Sequence, residues 1–257
     1  VNYHIIPMVS AIWSMPPYEA SQMPLTFFLS FFKNHGLFKL KNRPQWYTVE
    51  NRSKTYVDKI IDKISGEHFK NYNVNKVVRN NFGAKIYYGG ENEFFDYDKV
   101  VIATHADQAL DIIDNPTSDE EEILKNFKYR DNSAVIHFDE SIMPKNKKAW
   151  CSWNSSMSKD NIKKTSVTYW LNQLQNLKIN RDIFLTINPF RDIPEDKIFK
   201  KVKFTHPYYD NAALSNQNNL NKIQNKKNIL FCGSYFGYGF HEDGIKSSID
   251  MLKTLND

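Results

Sequence analysis

The chain has 257 residues, of which 41% are hydrophobic and 14% aromatic. That is enough apolar material for one large or two modest packed domains, and it excludes a disordered chain. The net charge of +5 is carried mostly by lysine, and the six arginines (43, 52, 79, 130, 181 and 191) are scattered, so a lysine-rich solvated surface is expected and no nucleic-acid partner.

Residues 1 to 40 read as helical, with Met8, Ile12 and Trp13 and then the run Leu25 to Phe32. Pro16-Pro17 interrupts the pattern and Gly36 suits a C-cap. Leu25 to Phe32 is too uniformly apolar for a one-sided surface helix, so a core helix or the wall of an apolar channel is expected. Arg43-Pro-Gln-Trp46 and Val49 to Val57 lead into a helix through Ile60, Ile61 and Ile64. Three strands are expected at Val74–Val78, Ala84–Tyr88 and Tyr97–Ala103, joined by turns at Asn80 to Gly83 and Gly89-Gly90. The last of them reads as fully buried at Val100 to Ala103. A helix follows with Thr104 as cap. From Pro116 the character changes: an acidic helix start at Asp119, then half-buried antiparallel strands at Ser133–Phe138, Ala149–Trp153, Ser166–Leu171 and Ile183–Ile187.

The tail is the most informative stretch. Four of the nine glycines, Gly233, Gly237, Gly239 and Gly244, fall within one short loop. The apolar run Ile229 to Cys232 precedes it, and a helical pattern of Ile245, Ile249, Leu252 and Leu255 follows. Strand, glycine-rich loop and helix start together let backbone amides approach a flat or anionic ligand. Glu242 and Asp243 stand where a helix N-cap and first turn are expected. An ordinary strand-to-helix turn would read the same way on glycine spacing alone.

The segment Gly-Ser-Tyr-Phe-Gly-Tyr-Gly-Phe-His-Glu-Asp-Gly-Ile, residues 233 to 245, resembles the C-terminal flavin-binding segment of the FAD-dependent amine oxidoreductase superfamily. The likeness is greatest to a bacterial branch of predicted NAD/FAD-binding proteins, which Ala11 to Ser14 and Phe31 to Leu37 also resemble. With the other matching segments it covers nearly the whole chain. The resemblance implies FAD as cofactor, with the loop beneath the isoalloxazine ring and the helix N-terminus at the pyrimidine edge, where reduced flavin is negative. It implies cofactor contacts at Val74, Ala103, Thr104, Gly233, Ser234, Tyr238, Glu242, Asp243, Gly244 and Ile245. Relatives carry two glycines before Ser53, whereas Asn51 and Arg52 stand here, a departure at a point of close backbone approach.

The expected fold is mixed α/β. It comprises the C-terminal part of an FAD/NAD(P)-binding Rossmann-like domain (41–115 and 222–257) and a substrate domain of antiparallel sheet and helices (1–40 and 116–221). No G-x-G-x-x-G fingerprint occurs, and the chain opens on Val1, so a fragment lacking its ADP-binding βαβ unit, inactive by itself, is expected. Trp150, Trp153, Asn154 and His241 are the candidate substrate contacts, and no catalytic residue is identified. The seven histidines lack metal-ligand spacing, no G-x-S-x-G elbow is present, and the paired carboxylates Asp139-Glu140 read as exposed turn residues. Cys151 and Cys232 form no CxxC pair and sit in apolar runs, which suggests buried thiols in a reducing, cytoplasmic setting. No apolar run approaches the ~20 residues that span a bilayer. The expected activity is hydride removal from an apolar amine, lipid or polyene small molecule. The alternative is a non-catalytic cofactor- or lipid-binding protein of the same fold. A peripheral membrane contact and the oligomeric state are left open.

Overall fold

The computed structural model describes residues 1, 4–158 and 165–255. Along the chain come α1 (Ile5–Trp13), α2 (Pro17–Ala20), α3 (Leu25–Asn34) and α4 (Lys54–Ile61), then β1 (Lys76–Arg79), β2 (Ala84–Tyr87), β3 (Phe94–Tyr97) and β4 (Val100–Ile102). Next are α5 (Ala106–Ile112), α6 (Ser118–Leu124), β5 (Lys128–His137), β6 (Trp153–Met157), β7 (Thr165–Trp170), α7 (Leu171–Leu174) and β8 (Phe184–Ile187). The chain ends with β9 (Ile198–Tyr208), α8 (Asn211–Gln217), β10 (Ile229–Phe231) and α9 (His241–Lys253). The fold is mixed α/β with two antiparallel sheets and one parallel strand pair.

Two compact units divide the chain: Val1–Gly66 with Arg130–His206, and Glu67–Tyr129 with Pro207–Asp257. The sequence-expected boundaries place residues 41–66 with the second group, and residues 116–129 and 207–221 with the first.

The first unit carries a five-stranded sheet in the order β6-β7-β8-β5-β9. Strands β6 and β7 are neighbours in the chain and pair Trp153 to Tyr169, whereas β8 inserts between β7 and β5, pairing Ala134 to Ile187. Its middle holds polar side chains on one face. His137 is fully buried; its Nε2–H donates to Thr186 Oγ1 at 2.7 Å, and Thr186 lies 2.9 Å from Thr168 Oγ1. The Asp139 amide donates to His137 Nδ1, which fixes the tautomer, and burial pushes the ring down to about 4. Asp139 is buried rather than exposed as expected. Burial alone would raise it, but hydrogen bonds from Lys197 and Ser141 hold its carboxyl below the usual range.

Several sequence expectations change here for identifiable reasons. The run Leu25 to Phe32 is a one-sided helix after all: Phe27, Phe31 and Phe32 are buried, while Leu25 is 67% exposed. Residues 149 to 153 are not one strand, because Asn146 caps a 3-10 turn at Lys147–Ala149 and β6 begins only at Trp153. That turn leaves Cys151 exposed. Asn51 and Arg52 both take left-handed backbone, φ 58° and 73°, so the departure from glycine does not prevent the conformation, which disfavours arginine.

The second unit is built on a three-stranded antiparallel sheet, β1-β2-β3, and the parallel pair β10-β4. The single strand expected at Tyr97–Ala103 is two strands. Asp98 and Lys99 separate β3, which pairs with β2, from β4, which pairs with β10 in the register Val100 to Ile229. One core gathers Val77, Val100, Ile102, Ala106, Leu124, Ile223, Ile229 and Phe231 around the strand pair. Strand β10 is wholly buried, and its outer edge is closed by Gln224, which accepts from Phe231 N–H and donates to Phe231 C=O. Strand β4 is not fully buried, since Val101 is 46% exposed. The apolar stripe of α9, Ile245, Ile249 and Leu252, is exposed too.

Candidate functional site at the glycine loop

Because β4 and β10 are parallel, their C-terminal ends point the same way, and each runs directly into a loop and a helix N-terminus. Ligands of α/β folds sit outside the carboxyl ends of such strands. Ala103 and Gly233 are therefore neighbours: Cys232 N–H donates to Ile102 C=O at 3.2 Å, and Thr104 C=O lies 3.4 Å from where a Gly233 Cβ would stand. The expected single layer for Val100–Ala103 and Ile229–Cys232 is what forms. Ala103 and Thr104 are exposed at its end. The cap of α5 is His105 rather than Thr104; His105 N–H donates to Gln108 Oε1, and its ring stacks on Tyr129 at 4.1 Å.

The loop itself is fastened at both ends. Ser247 Oγ accepts from Gly233 N–H and donates to Gly244 C=O, tying the loop entrance to the second turn of α9. Gln217 donates to the carbonyls of Tyr235 and Gly237. Gly239 N–H returns to Ser234 C=O, closing the turn. Phe240 is the N-cap of α9, and Asp243, three residues in, accepts from Phe240 N–H at 2.9 Å. Asp243 therefore serves the helix start from its third position rather than as the cap.

The four glycines are not equivalent. A Cβ on Gly233 would stand 2.7 Å from the Tyr235 ring, and one on Gly239, whose φ is +96°, would stand 2.8 Å from Tyr209 Oη. On Gly237 it would overlap the Asp243 carboxylate. These three are required by the protein's own packing. Gly244 is different: it lies inside α9 without a positive φ, and the nearest atom to its missing Cβ is Ser234 N at 4.0 Å. Nothing internal calls for glycine there, although glycine in a helix costs about 1 kcal/mol against alanine. The result is a bare patch of helix backbone beside the Ser234 amide, open to a flat ligand.

Sequence reasoning missed the tyrosines beneath this loop. Tyr209 and Tyr235 are almost wholly buried, and Tyr129 Oη accepts from the Ala106 amide of α5. Burial raises all three phenols, so they stay protonated. Tyr235 lies inside the glycine motif, and that position was its one available signal.

The remaining expected residues scatter. Tyr238 is half-buried in the loop, while His241, Glu242 and Ile245 are exposed on α9. Val74 is exposed just before β1. In the first unit Trp150 is a core residue, edge-on to Trp170 and Phe184, with Nε1–H donating to Pro144 C=O. Trp153 lies exposed on β6, and the Asn154 side chain is occupied by the backbone of Cys151. None of these three lines the groove of about 460 Å³ in that unit, which opens between the end of α1 and strands β5, β7 and β8. Among the described residues there is no cluster of histidine, cysteine and carboxylates able to hold a metal, and no helix long and apolar enough to cross a membrane.

No family model matches the sequence, and no curated protein does. Solved structures do. A protein from Exiguobacterium sp., provisionally described as a protoporphyrinogen oxidase, is similar with a TM-score of 0.64 at 10% identity over 98% of this chain and 62% of its own. Cyclohexylamine oxidase from Brevibacterium oxydans gives 0.56 at 11% identity over 99% and 64%, and a fatty acid isomerase from P. acnes gives 0.54 at 12% over 79% and 51%. This chain thus spans between about half and two thirds of the length of those proteins. At such identities the likeness establishes the fold alone, and the fold is the one these chains share.

Proposed function

We propose that this chain is a portion of an FAD-dependent oxidoreductase and that the glycine loop of its second unit receives the flavin. The observation that carries the reading is Gly244, the one loop glycine that the protein's own packing does not require, standing bare beside a helix N-terminus at the carboxyl ends of two parallel strands. Its fold neighbours include oxidases, which supports the same class. When bound, the flavin would supply the hydride-accepting chemistry. The chain's part is to hold it. Ala103, Thr104, Gly233 and Ser234 offer backbone, the first turn of α9 offers the positive end of its dipole, and the buried Tyr209 and Tyr235 pack beneath the loop. Amine oxidase or desaturase chemistry on an apolar amine, lipid or polyene is the finer reading, with the first unit as the substrate side.

The exposed Val101 of β4 and the stripe Ile245, Ile249 and Leu252 of α9 support the fragment reading. A two-stranded parallel sheet is ordinarily covered on both faces and extended by further strands. The remainder of a dinucleotide-binding unit would supply both, along with most pyrophosphate contacts, so residues 1–257 should bind FAD weakly. Hydrogen exchange with saturating FAD tests the site. Protection is expected at residues 100–106 and 233–245. Protection confined to other segments, or none, contradicts the assignment.

A further inference from the structure

The first unit carries, apart from its sheet, a lobe made of α3 and the loop that follows it. The loop is folded back on the helix. Gly36 takes left-handed backbone, φ 64°, and a Cβ there would stand 3.0 Å from Pro44 Cδ, so glycine lets the two ends of the loop meet. The Lys39 amide donates to Gly36 C=O at 3.1 Å, and Arg43 Nε–H donates to Lys39 C=O at 2.9 Å. Trp46 returns to stack on His35, whose Nδ1–H donates to Phe31 C=O. Residues 36–46 thus form a compact surface loop whose ends are close.

The surface of this lobe departs from an ordinary solvated loop in two ways. The first is apolar exposure. Leu40, near the middle of the loop and between Lys39 and Lys41, is 90% exposed, and Phe38 is 54% exposed. On α3, Leu25, Leu29 and Lys33 recur every fourth residue and are exposed along one stripe. The second is charge. From Ala20 to Val49 the chain holds Lys33, Lys39, Lys41 and Arg43 and no aspartate or glutamate. Elsewhere in this unit surface lysines find carboxylates, as Lys54 does on Asp58, Lys147 on Asp182 and Lys201 on Glu195. Among the described residues none of these four cations forms an ion pair.

The pairing of the two features selects the partner. A nucleic acid would satisfy the cations and leave Leu40 in water. An apolar protein surface would cover Leu40 and bury Lys39 and Lys41 without counter-charges. The headgroup layer of an anionic bilayer accepts both at once, apolar side chains at the acyl boundary and lysines or arginines at the phosphates. We infer that this lobe docks the protein on an anionic lipid surface, with Leu40 and Phe38 entering the headgroup layer and the four cations against lipid phosphates.

Co-sedimentation of the complete protein with vesicles of phosphatidylcholine, alone or with about one third phosphatidylserine, tests it. The anionic vesicles are expected to bind at least about tenfold more tightly, and high salt should remove that difference. Lys39→Glu with Lys41→Glu should weaken binding to them by about thirtyfold or more, at about fivefold for each charge removed. Leu40→Ser should weaken it by about tenfold, the scale of one partly buried leucine. All three side chains are exposed, so both variants should keep the wild-type melting temperature and far-UV circular dichroism. Absence of vesicle binding, which would follow if the rest of the protein covers the lobe, would overturn the inference. So would equal binding to the two kinds of vesicle, undiminished binding in either variant, or binding of an oligonucleotide in place of vesicles. The lobe lies outside the glycine loop, so these results stand whether or not that loop holds FAD.

Discussion

The glycine loop of the second unit and the polar centre of the first unit's sheet are both built around buried polar groups, but by opposite means. In the loop the backbone does the bonding: Gly233, Tyr235, Gly237 and Gly244 present amides or carbonyls to Ser247 and Gln217, and three glycines exist so that Tyr235, Tyr209 and Asp243 can sit against the chain. In the sheet the side chains do it: His137, Thr186 and Thr168 bond across three strands, and the backbone there is ordinary ladder. A loop made this way fails when a side chain is added. A centre made that way fails when a side chain changes charge.

The largest expected effect is the second kind. Folded, His137 keeps a neutral ring with its pKa near 4, while the unfolded chain takes up the proton at 6.5. The stabilisation is complete above pH 6.5, is lost as the pH falls towards 4, and changes no further below that. The gap amounts to about 3 kcal/mol at 1.36 kcal/mol per unit. Urea titrations between pH 7.5 and 4 should show that loss, and His137→Gln, which cannot titrate, should flatten it. An unchanged pH slope in the variant would remove His137 from the account.

The loop should respond locally. Gly237→Ala forces a methyl into the Asp243 carboxylate and is expected to cost about 1–3 kcal/mol, the usual range for overpacking, read as a lower melting temperature. Asp243→Ala removes only the carboxylate that accepts from Phe240 N–H and should cost roughly 1 kcal/mol. In the double variant Gly237→Ala with Asp243→Ala, the overlap with the Asp243 carboxylate is gone and only the residue 243 Cβ, at 2.8 Å, remains, so the combined cost should be less than the sum of the two. Simple additivity would mean that the alanine methyl does not meet Asp243.

Much of the loop was legible because glycine clustering is a local signal: the order strand, Gly233 to Gly244, helix is written consecutively, and the pairing of Ile229–Cys232 with Val100–Ala103 follows from two matching apolar runs. The sheet centre was not legible, since His137, Thr168 and Thr186 are separated by tens of residues and meet only through register. The groove stayed hidden for the same reason, because Ser14, Asp131 and Asn188 belong to three distant segments. Tryptophan misled in the other direction. Trp150 reads as a pocket residue by type but fills core against Phe184, and its indole N–H is satisfied by Pro144. The long β9 was unforeseen because Lys200, Lys201 and Lys203 break a clean alternation in its exposed first half.

The central claim is that Gly244 is glycine for a ligand and not for the fold. Inside α9, glycine and valine differ in helix propensity by less than about 0.5 kcal/mol, and beyond the local helix backbone the nearest atom to a Cβ there is Ser234 N at 4.0 Å. Gly244→Val, made in the complete protein, should keep the wild-type melting temperature of the flavin-free form within about 3 °C, the shift such a difference allows. Its FAD should be lost on gel filtration, where the wild type retains it. Retention of FAD by a stably folded Gly244→Val protein would contradict the account, because the loop would then be a turn and no more.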